Sequence, residues 1–307
     1  GFDPKKINDF IIVKGNPGWK YSSMFRNIKL VNYDVMLGTD RGLKSFEGFM
    51  GNNIMESGVP FDIDRPLTQE ELNETVKYCR HDVEQTIELF IERKEEFEAS
   101  LELIKIFKLP FAYIGKTKAQ LVAEILGGMR KKFNDNEFEF PIVQCVKDNL
   151  KKYRFVLDWY KDPKNHDYSK KLDCMIAGIP HTFAWGGIHG AEKKNTVFGD
   201  LLNVDVTAYY PEIQMTYKFG YRNMSNPENF EKIHRSNLEY KKAGDKKARL
   251  PFKIADNSIS GQLKDKNSAL YDPLMNNAVC VNGQLMLLLL IEMIEPHPAL
   301  IQSNTDG

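Results

Sequence analysis

The stretch from Leu201 to Gln214, with the sequence LLNVDVTAYYPEIQ, constrains the fold more than any other part of the chain. Its first half is an apolar run bounded by Gly199 and Pro211, which is typical of a short buried β-strand. Asp205 lies inside that run, where a carboxylate without a partner is costly to bury. An acid at the end of a strand, followed by a turn, indicates a metal ligand that projects into a cleft.

A second acid, Asp306, lies near the end of the sequence in a comparable setting. The apolar run from Ala299 to Ile301 predicts another strand, and the turn residues after it place Asp306 at the tip of a hairpin. Between the two acids, the segment from Glu231 to Lys253 is rich in Lys and Arg. Acids can hold divalent cations and a basic helix can hold phosphates, so this order suits phosphoryl transfer.

Three segments in this order resemble motifs A, B and C of family B DNA polymerases of the bacteriophage type. DVTAYYP, which begins at Asp205, is similar to the family's D-x-x-S-L-Y-P. KIADNSISG, which begins at Lys253, is similar to K-x-x-x-N-S-x-Y-G, and SNTDG, which contains Asp306, is similar to Y-x-D-T-D-S. The resemblance implies a template-directed DNA polymerase of DNA replication, a nucleotidyltransferase that extends a primer 3′-hydroxyl with two metal ions.

The resemblance also implies the cofactors and their ligands. Two Mg²⁺ or Mn²⁺ ions are expected at the polymerase site, held by Asp205, the Val206 carbonyl and Asp306. Tyr210 matches the tyrosine that stacks under the sugar and excludes a 2′-hydroxyl, which implies a preference for deoxynucleotides. Adjacent residues on a strand face opposite sides, so one of Tyr209 and Tyr210 is alternatively a core aromatic.

The implied partners are primer–template DNA and deoxynucleoside triphosphates. Lys253 is implied to grip the triphosphate, and Asn257, four positions on and therefore on the same helix face, lies with Gly261 against the nascent base pair. Lys241 is implied as a second phosphate contact from the preceding helix. The arginine often found four positions ahead of that lysine is absent, and Asn237 is there instead.

Three positions depart from the family pattern. Ser260 replaces the usual tyrosine of motif B, Asn304 replaces the first aspartate of motif C, and Ala208 replaces a serine. None of these changes removes a primary metal ligand. The segment between motifs A and B is short, whereas protein-primed relatives carry a long insertion there, so the resemblance implies an ordinary nucleic-acid primer.

Paired glycines, Gly186 and Gly187, precede motif A in the sequence FAWGGIHG. Such glycines let backbone amides approach another backbone closely, and phosphate oxygens are suitable partners. The family has a Tyr-x-Gly-Gly element here that touches the template strand, with Phe183 or Trp185 in place of the tyrosine. The sequence alone favours an ordinary hairpin turn, whereas the resemblance implies that the two glycines bind DNA.

A long helical region precedes these motifs. The sequence Thr68-Gln-Glu-Glu71 is a capping box that predicts a helix start near Gln69, and apolar spacing continues as one or two helices to about Phe107. Tyr78 and Asp82 lie four apart on one face. They resemble the third motif of the 3′–5′ proofreading exonuclease, an RNase H-like domain in which the Asp binds a metal and the Tyr orients the attacking water. A plain helical surface is the alternative, because the other acids of such a site have no match upstream.

Composition adds little about partners. The 307 residues include 42 basic and 42 acidic side chains, so net charge does not indicate a polyanion. Four scattered cysteines suggest neither a zinc site nor disulfides, which is typical of a reducing compartment. The apolar run from Leu285 to Ile291 is far below the roughly 20 residues of a membrane span, and no signal peptide is visible. We therefore expect a buried helix there, no membrane partner, a monomer, and a cytoplasmic location (the host bacterial cytoplasm if phage-encoded).

The expected fold class is α+β, with a partial RNase H-like exonuclease domain followed by a polymerase palm, a ferredoxin-like antiparallel sheet, with short helical fingers. The chain begins without Met and stops one residue after Asp306, which favours a piece of a longer protein that is inactive or nearly so alone. The expected divisions are the end of the exonuclease domain (residues 1–107), a helical connecting region (108–182), palm with motif A (183–222), fingers with motif B (223–264) and palm to motif C (265–307).

Two other functions remain open from the sequence. A metal-dependent DNA exonuclease would use Tyr78 and Asp82 as its working site and would need further carboxylates near Asp82 in space. A non-catalytic DNA-binding protein with a polymerase-like shell would not require Asp205 and Asp306 to approach each other.

Overall fold

The structure is a computed structural model that describes residues 3–22, 31–35, 41–193, 199–297 and 299–305. These residues form a mixed α+β protein with helices and one four-stranded antiparallel sheet, so the predicted α+β class is confirmed. The chain divides into two compact units. Unit 1 comprises Gly1–Ile104 with Pro110–Gly115, and unit 2 comprises Lys105–Leu109 with Lys116–Gly307. Asp306, the predicted motif C ligand, lies outside the described residues.

Unit 1 is helical in its described residues. Its helices are α1 (Pro4–Asn8), α2 (Gly18–Tyr21), α3 (Leu43–Met50), α4 (Gln69–Glu92) and α5 (Lys94–Ile106), the last of which ends in unit 2. A π-helical turn, Asp9–Val13, follows α1.

Helix α4 begins where the sequence predicts. The Thr68 side chain accepts a hydrogen bond from the Glu71 amide, and the Glu71 carboxylate accepts one from the Thr68 amide. This capping box satisfies backbone donors that have no partner inside the helix. The predicted start at Gln69 is confirmed, and α4 with α5 covers the predicted helical region up to Ile106.

Unit 2 contains the sheet, seven further α-helices and two short 3-10 helices, Pro163–Asn165 and Tyr221–Asn223, among its described residues. In chain order the α-helices and strands are α6 (Lys118–Ile125), α7 (Gln144–Asn149), α8 (Arg154–Lys161), β1 (Lys171–Ile176), β2 (Ile179–Ala184), β3 (Gly187–Ala191), α9 (Tyr209–Tyr217), α10 (Glu228–Ala243), α11 (Lys246–Gln262), α12 (Pro273–Ile294) and β4 (Gln302–Ser303).

The sheet has the strand order β1-β2-β3-β4, with every pair antiparallel. Ala177 and Gly178, both with positive φ, form the two-residue turn between β1 and β2, and such turns match the twist of a hairpin. Trp185 and Gly186 link β2 to β3. The paired glycines therefore do lie at a hairpin turn, as the sequence alone suggested. Strand β4 returns to β3 after the long helical segment.

One apolar core joins the sheet to α7, α8, α9 and α12. Helix α12 is long and apolar enough to cross a membrane by length and composition. An 18-residue stretch of it has a mean hydropathy of 1.7, but 61% of that stretch is buried inside the protein. The buried helix predicted around Leu285–Ile291 is therefore present. It begins at Pro273, well before that run, because Asp272 caps it by accepting a hydrogen bond from the Met275 amide.

Helices α10 and α11 form a hairpin. Gly244 ends α10 in the left-handed conformation that glycine adopts at low cost, with φ of 73°. The Asp245 side chain then accepts a hydrogen bond from the Ala248 amide, 2.9 Å away, and begins α11. The two helices pack along their length, and α11 also packs against α6.

The strand predicted from Leu201 to Val206 is wrong. These residues have no assigned helix or strand, and no described strand pairs with them. Leu202 is 82% exposed and Asp205 is exposed, so the carboxylate is solvated rather than buried. An apolar run forms a strand only where a partner supplies backbone hydrogen bonds, and the sequence does not show that partner.

Candidate nucleotide and metal sites

Helix α11 presents the motif B residues on one exposed side. Lys253, Asn257 and Gly261 are spaced four apart and all are exposed. No atom lies within 4 Å of a Cβ built on Gly261, so the space above this glycine is open. The opposite side of the helix is buried, including Phe252 and Ile259. The helix therefore fixes one face in the protein and offers the other, with its lysine, to a ligand.

Arg249, which the sequence motifs do not include, lies one turn before Lys253 on the same side. Its Nε donates a hydrogen bond to Asn237 Oδ1, 2.9 Å away. Asn237 in turn donates through Nδ2 to Asp256 Oδ2 at 2.8 Å, deep between α10 and α11. The residue that replaces the expected arginine thus holds a different arginine beside the lysine. The spacing of four between Arg249 and Lys253 was the available signal.

Lys241 lies in the last turn of α10 and is exposed. A cation there interacts favourably with the carboxyl end of the helix dipole. Its side chain is accessible for the phosphate contact that the resemblance implies.

The motif A residues lie where the chain passes from solvent into the apolar core of unit 2. Asp205 is exposed, and Val206, half-buried, packs against the core. Ala208 adopts the left-handed conformation with φ of 54°, and α9 begins at the next residue. The predicted tyrosines therefore lie on the first turn of a helix, and the reasoning from strand alternation does not apply to them.

Tyr209 and Tyr210 have different environments. Tyr209 is 8% exposed and donates a hydrogen bond to the Gly283 carbonyl at 2.7 Å, so it is the core aromatic of the pair. Tyr210 is half-buried, with its ring 5.9 Å from that of Tyr209 and nearly parallel to it. A Cβ on Gly283 would lie 3.1 Å from the Tyr210 ring, so this glycine of α12 permits the close approach of both rings.

The paired glycines and the motif C segment meet at one edge of the sheet. Thr305 lies against Gly187, where a built Cβ would be 2.8 Å from the threonine Oγ1. Gly186 is exposed with no atom within 4 Å of a built Cβ. Phe183 and Trp185 are 0% and 2% exposed, so neither can take the place of a tyrosine that stacks on a template strand. Gly187, which is buried, and the residue before Asp306 are thus brought together, whereas Gly186 stays open to solvent.

A buried histidine supports this edge. His181 of β2 is 2% exposed, and its Nε2 lies 2.7 Å from Ser303 Oγ of β4. Any Cβ at Gly190, on the strand between them, would overlap the His181 ring. Burial lowers the pKa of His181 from 6.5, so the imidazole is neutral at neutral pH. His181 therefore connects β2 to β4 across a glycine.

In unit 1, Tyr78 and Asp82 do lie on one face of α4, beside α3. Lys44 of α3 lies 2.7 Å from Asp82 Oδ1 and 4.8 Å from the centre of the Tyr78 ring. Burial, and then the Asp82 charge, raise the pKa of Tyr78. Lys44 also contacts Glu47 at 3.2 Å, and Glu47, whose side chain is 0% exposed, lies 3.4 Å from His81. The predicted pair is thus part of a partly exposed charged cluster.

The donor atoms bear on the implied ions. Carboxylate and carbonyl oxygens suit Mg²⁺, and an exposed Asp205 is able to coordinate. Within the described residues, no three His, Cys, Asp or Glu side chains lie close enough together to hold a metal ion. Asp82 is paired with a lysine, which occupies the place where a cation would bind.

Comparisons with known proteins give no relative: no protein-family model, no curated protein and no solved structure matches this chain.

Proposed function

We propose that this chain carries the nucleotide-binding part of a template-directed DNA polymerase of the family B type. The observation that carries the proposal is the exposed side of α11, on which Lys253, Asn257 and Gly261 are aligned and accessible while the other side is buried. In this proposal Lys253, with Arg249 one turn before it, binds the triphosphate. Lys241 provides a further phosphate contact.

The architecture we propose assigns each part of the chain a role. Sheet β1–β4 with α9 and α12 corresponds to palm, the α10–α11 hairpin to short fingers, and unit 1 to the end of a proofreading exonuclease domain. An antiparallel sheet backed by helices, and a basic helical hairpin inserted between motifs A and C, support this assignment.

Asp205, the Val206 carbonyl and Asp306 would hold the two Mg²⁺ ions, which supply charge stabilisation for the attacking hydroxyl and the leaving pyrophosphate. The protein's own groups do the rest. Tyr210, at the start of α9, presents an aromatic ring against the sugar and leaves no room for a 2′-hydroxyl. Gly186, which is exposed with open space above it, allows a phosphate backbone to approach the turn between β2 and β3, and Gly187, buried against Thr305, holds that turn beside the motif C segment.

Nucleotide binding tests the proposal without requiring turnover. Dissociation constants of deoxyadenosine triphosphate with Mg²⁺ are measured for the wild type, Lys253→Ala and Lys247→Ala. We expect the loss of Lys253 to weaken binding by about tenfold or more, since a charge-assisted phosphate contact is removed. Lys247 is exposed on another side of the same helix, and its loss should change binding by less than about twofold.

Two results would contradict the proposal. One is the absence of nucleotide binding by the wild type, and the other is an equal effect of both lysine variants, which would indicate attraction by net charge alone. A Tyr210→Ala variant adds a second measure: its discrimination between deoxyribo- and ribonucleoside triphosphates should decrease relative to the wild type.

A metal-dependent DNA exonuclease is the second candidate, favoured by the cluster around Asp82. Lys44 there is held by two carboxylates, and such a lysine can release Asp82 to a metal ion. The test is degradation of single-stranded DNA with Mn²⁺ by the wild type, Asp82→Asn and Glu84→Gln, an exposed acid on the same helix. Activity that depends on Asp82 but not on Glu84 supports this candidate, and absence of degradation excludes it for this chain.

A further inference from the structure

His234 occupies an unusual position at the junction of three helices. It lies on α10 and is 4% exposed. Its Nδ1 is 2.9 Å from Asp256 Oδ2 on α11, and its Nε2 is 3.0 Å from Glu212 Oε1 on α9. An ionised carboxylate only accepts hydrogen bonds, so both contacts are hydrogen bonds only when both ring nitrogens carry protons. The geometry therefore fits an imidazolium between two carboxylates.

The surrounding charges agree with this geometry. Burial by itself lowers the pKa of His234, but the hydrogen bonds and charges of Asp256 and then Glu212 outweigh it and raise the pKa above 6.5. These two acids are the titratable groups that face the ring from α11 and α9. Glu231 and Arg235, its charged neighbours on α10, are exposed to solvent.

The contact joins the elements that carry the nucleotide-binding groups. Helix α9 begins with the two tyrosines, whereas α11 carries Arg249 and Lys253. Asp256 is 1% exposed and also accepts the Asn237 hydrogen bond, so the same carboxylate that holds His234 indirectly holds Arg249. A second contact joins α9 to α11: Ser260 Oγ donates a hydrogen bond to Gln214 Oε1 at 2.7 Å. Neither group is charged, so this contact does not change with pH near neutrality.

We propose that His234 is a positioning residue that, in its protonated form, clamps the α10–α11 hairpin to α9 and thereby sets the affinity for a nucleoside triphosphate. The inference rests on the proposed function of the α11 face. Protonated His234 satisfies both carboxylates. Neutral His234 keeps a hydrogen-bond donor for only one of the two carboxylates. The ring nitrogen that faces Glu212 is then an acceptor opposite another acceptor, and the Glu212 side chain, which is 47% exposed, moves away into solvent. The lysine face then loses its fixed position relative to the tyrosine that meets the sugar.

Glu212→Gln is the informative variant. Glu212 is half exposed, so the variant is expected to fold. A glutamine amide can accept from a protonated ring nitrogen or donate to a neutral one, and the bridge then no longer depends on the proton. The matched control is Glu231→Gln, which removes the same charge from the exposed side of α10.

The experiment measures the dissociation constant of deoxyadenosine triphosphate with Mg²⁺ from about pH 6 to about pH 9 for the three proteins. In the wild type and Glu231→Gln we expect binding to weaken by about tenfold as pH rises, the equivalent of one charge-assisted hydrogen bond. In Glu212→Gln the change should be less than about twofold. Titration of the triphosphate itself is common to all three proteins and cancels in the comparison.

The outcomes separate the inference from the function beneath it. Superimposed pH profiles of the wild type and Glu212→Gln, with intact binding, overturn the clamp and leave the proposed function standing. Failure of the wild type to bind the nucleotide at any pH overturns both. An NMR titration of the His234 imidazole adds a direct check, because the pH at which binding weakens must coincide with its pKa.

Discussion

Two regions of unit 2 each bury one histidine, and the pKa values of the two histidines are shifted in opposite directions. In the sheet, His181 lies among strands and contacts a backbone carbonyl and the Ser303 hydroxyl, groups without net charge. In the helical hairpin, His234 lies between two carboxylates. Burial lowers the pKa of the first, whereas Asp256 and Glu212 outweigh burial and raise the pKa of the second.

The difference shows that burial lowers the pKa of an interior histidine unless charged partners outweigh it. A neutral ring in the sheet can serve only as a structural connection between β2 and β4. In the hairpin, a protonated ring would donate hydrogen bonds to two acids, one on α11 and one on α9, the helices that carry the candidate binding groups. Sheet and hairpin should therefore respond differently to substitution and to pH, and three predictions test that.

The largest effect is expected from Asp256→Ala in the hairpin. Asp256 is 1% exposed and accepts hydrogen bonds from His234 and Asn237, so its removal leaves a buried cation with one counterion fewer. Breaking a buried ion pair typically costs about 3–5 kcal/mol in the free energy of unfolding. Denaturant unfolding measures it, with Glu239→Ala, an exposed acid of α10, as the control. A cost as small as that of the control would show that the buried pair does not contribute.

A smaller effect is expected from Gly190→Ala in the sheet. The new methyl group would overlap the His181 ring and displace it from Ser303. Overpacking of this kind costs about 1–3 kcal/mol. Gly186→Ala is the matched control in the same hairpin, because no atom lies within 4 Å of its Cβ. Equal unfolding free energies for the two variants would argue against a tight contact between His181 and β3.

The smallest effects are expected from pH alone, and their signs differ. The folded pKa of His181 is depressed, so its contribution to stability is present above 6.5 and is lost as pH falls below that value. The folded pKa of His234 is raised, so its contribution is fully present below 6.5 and is lost as pH rises through the folded pKa. Thermal unfolding across pH should therefore lose its acid-side decrease in His181→Gln and its alkaline-side decrease in His234→Gln. Unchanged profiles would remove the distinction between the two regions.

Features fixed by neighbouring residues could be predicted from the sequence. The start of α4 follows from Thr68 and Glu71, three positions apart, whose side chains bond each other's amides. The alignment of Lys253 with Asn257 follows from helical geometry alone. The true start of α12 also had a local signal, since Asp272 followed by Pro273 is a capping residue before a favoured first helical position.

Features that depend on distant partners could not be predicted. The run from Leu201 to Val206 has strand-like composition but lacks a described pairing partner, whereas the segment Lys171–Ile176 forms strand β1 because β2 pairs with it. Strand β1 lies inside residues 108–182, for which the sequence predicts a helical connecting region. The network of His234, Asp256 and Asn237 joins residues up to 22 positions apart, and only packing of α10 on α11 reveals it.

Helix α12 has a consequence for handling this protein outside its folded state. Its 22 residues are apolar on nearly all sides, and the sheet, α7 and α9 together cover them. A polypeptide that retains this helix but lacks the β-hairpin would present to solvent a segment that a detergent micelle, a chaperone or a second such segment can bind. Solubility during expression is therefore expected to report how completely the rest of unit 2 has folded around α12, before any assay of nucleotide or DNA is attempted.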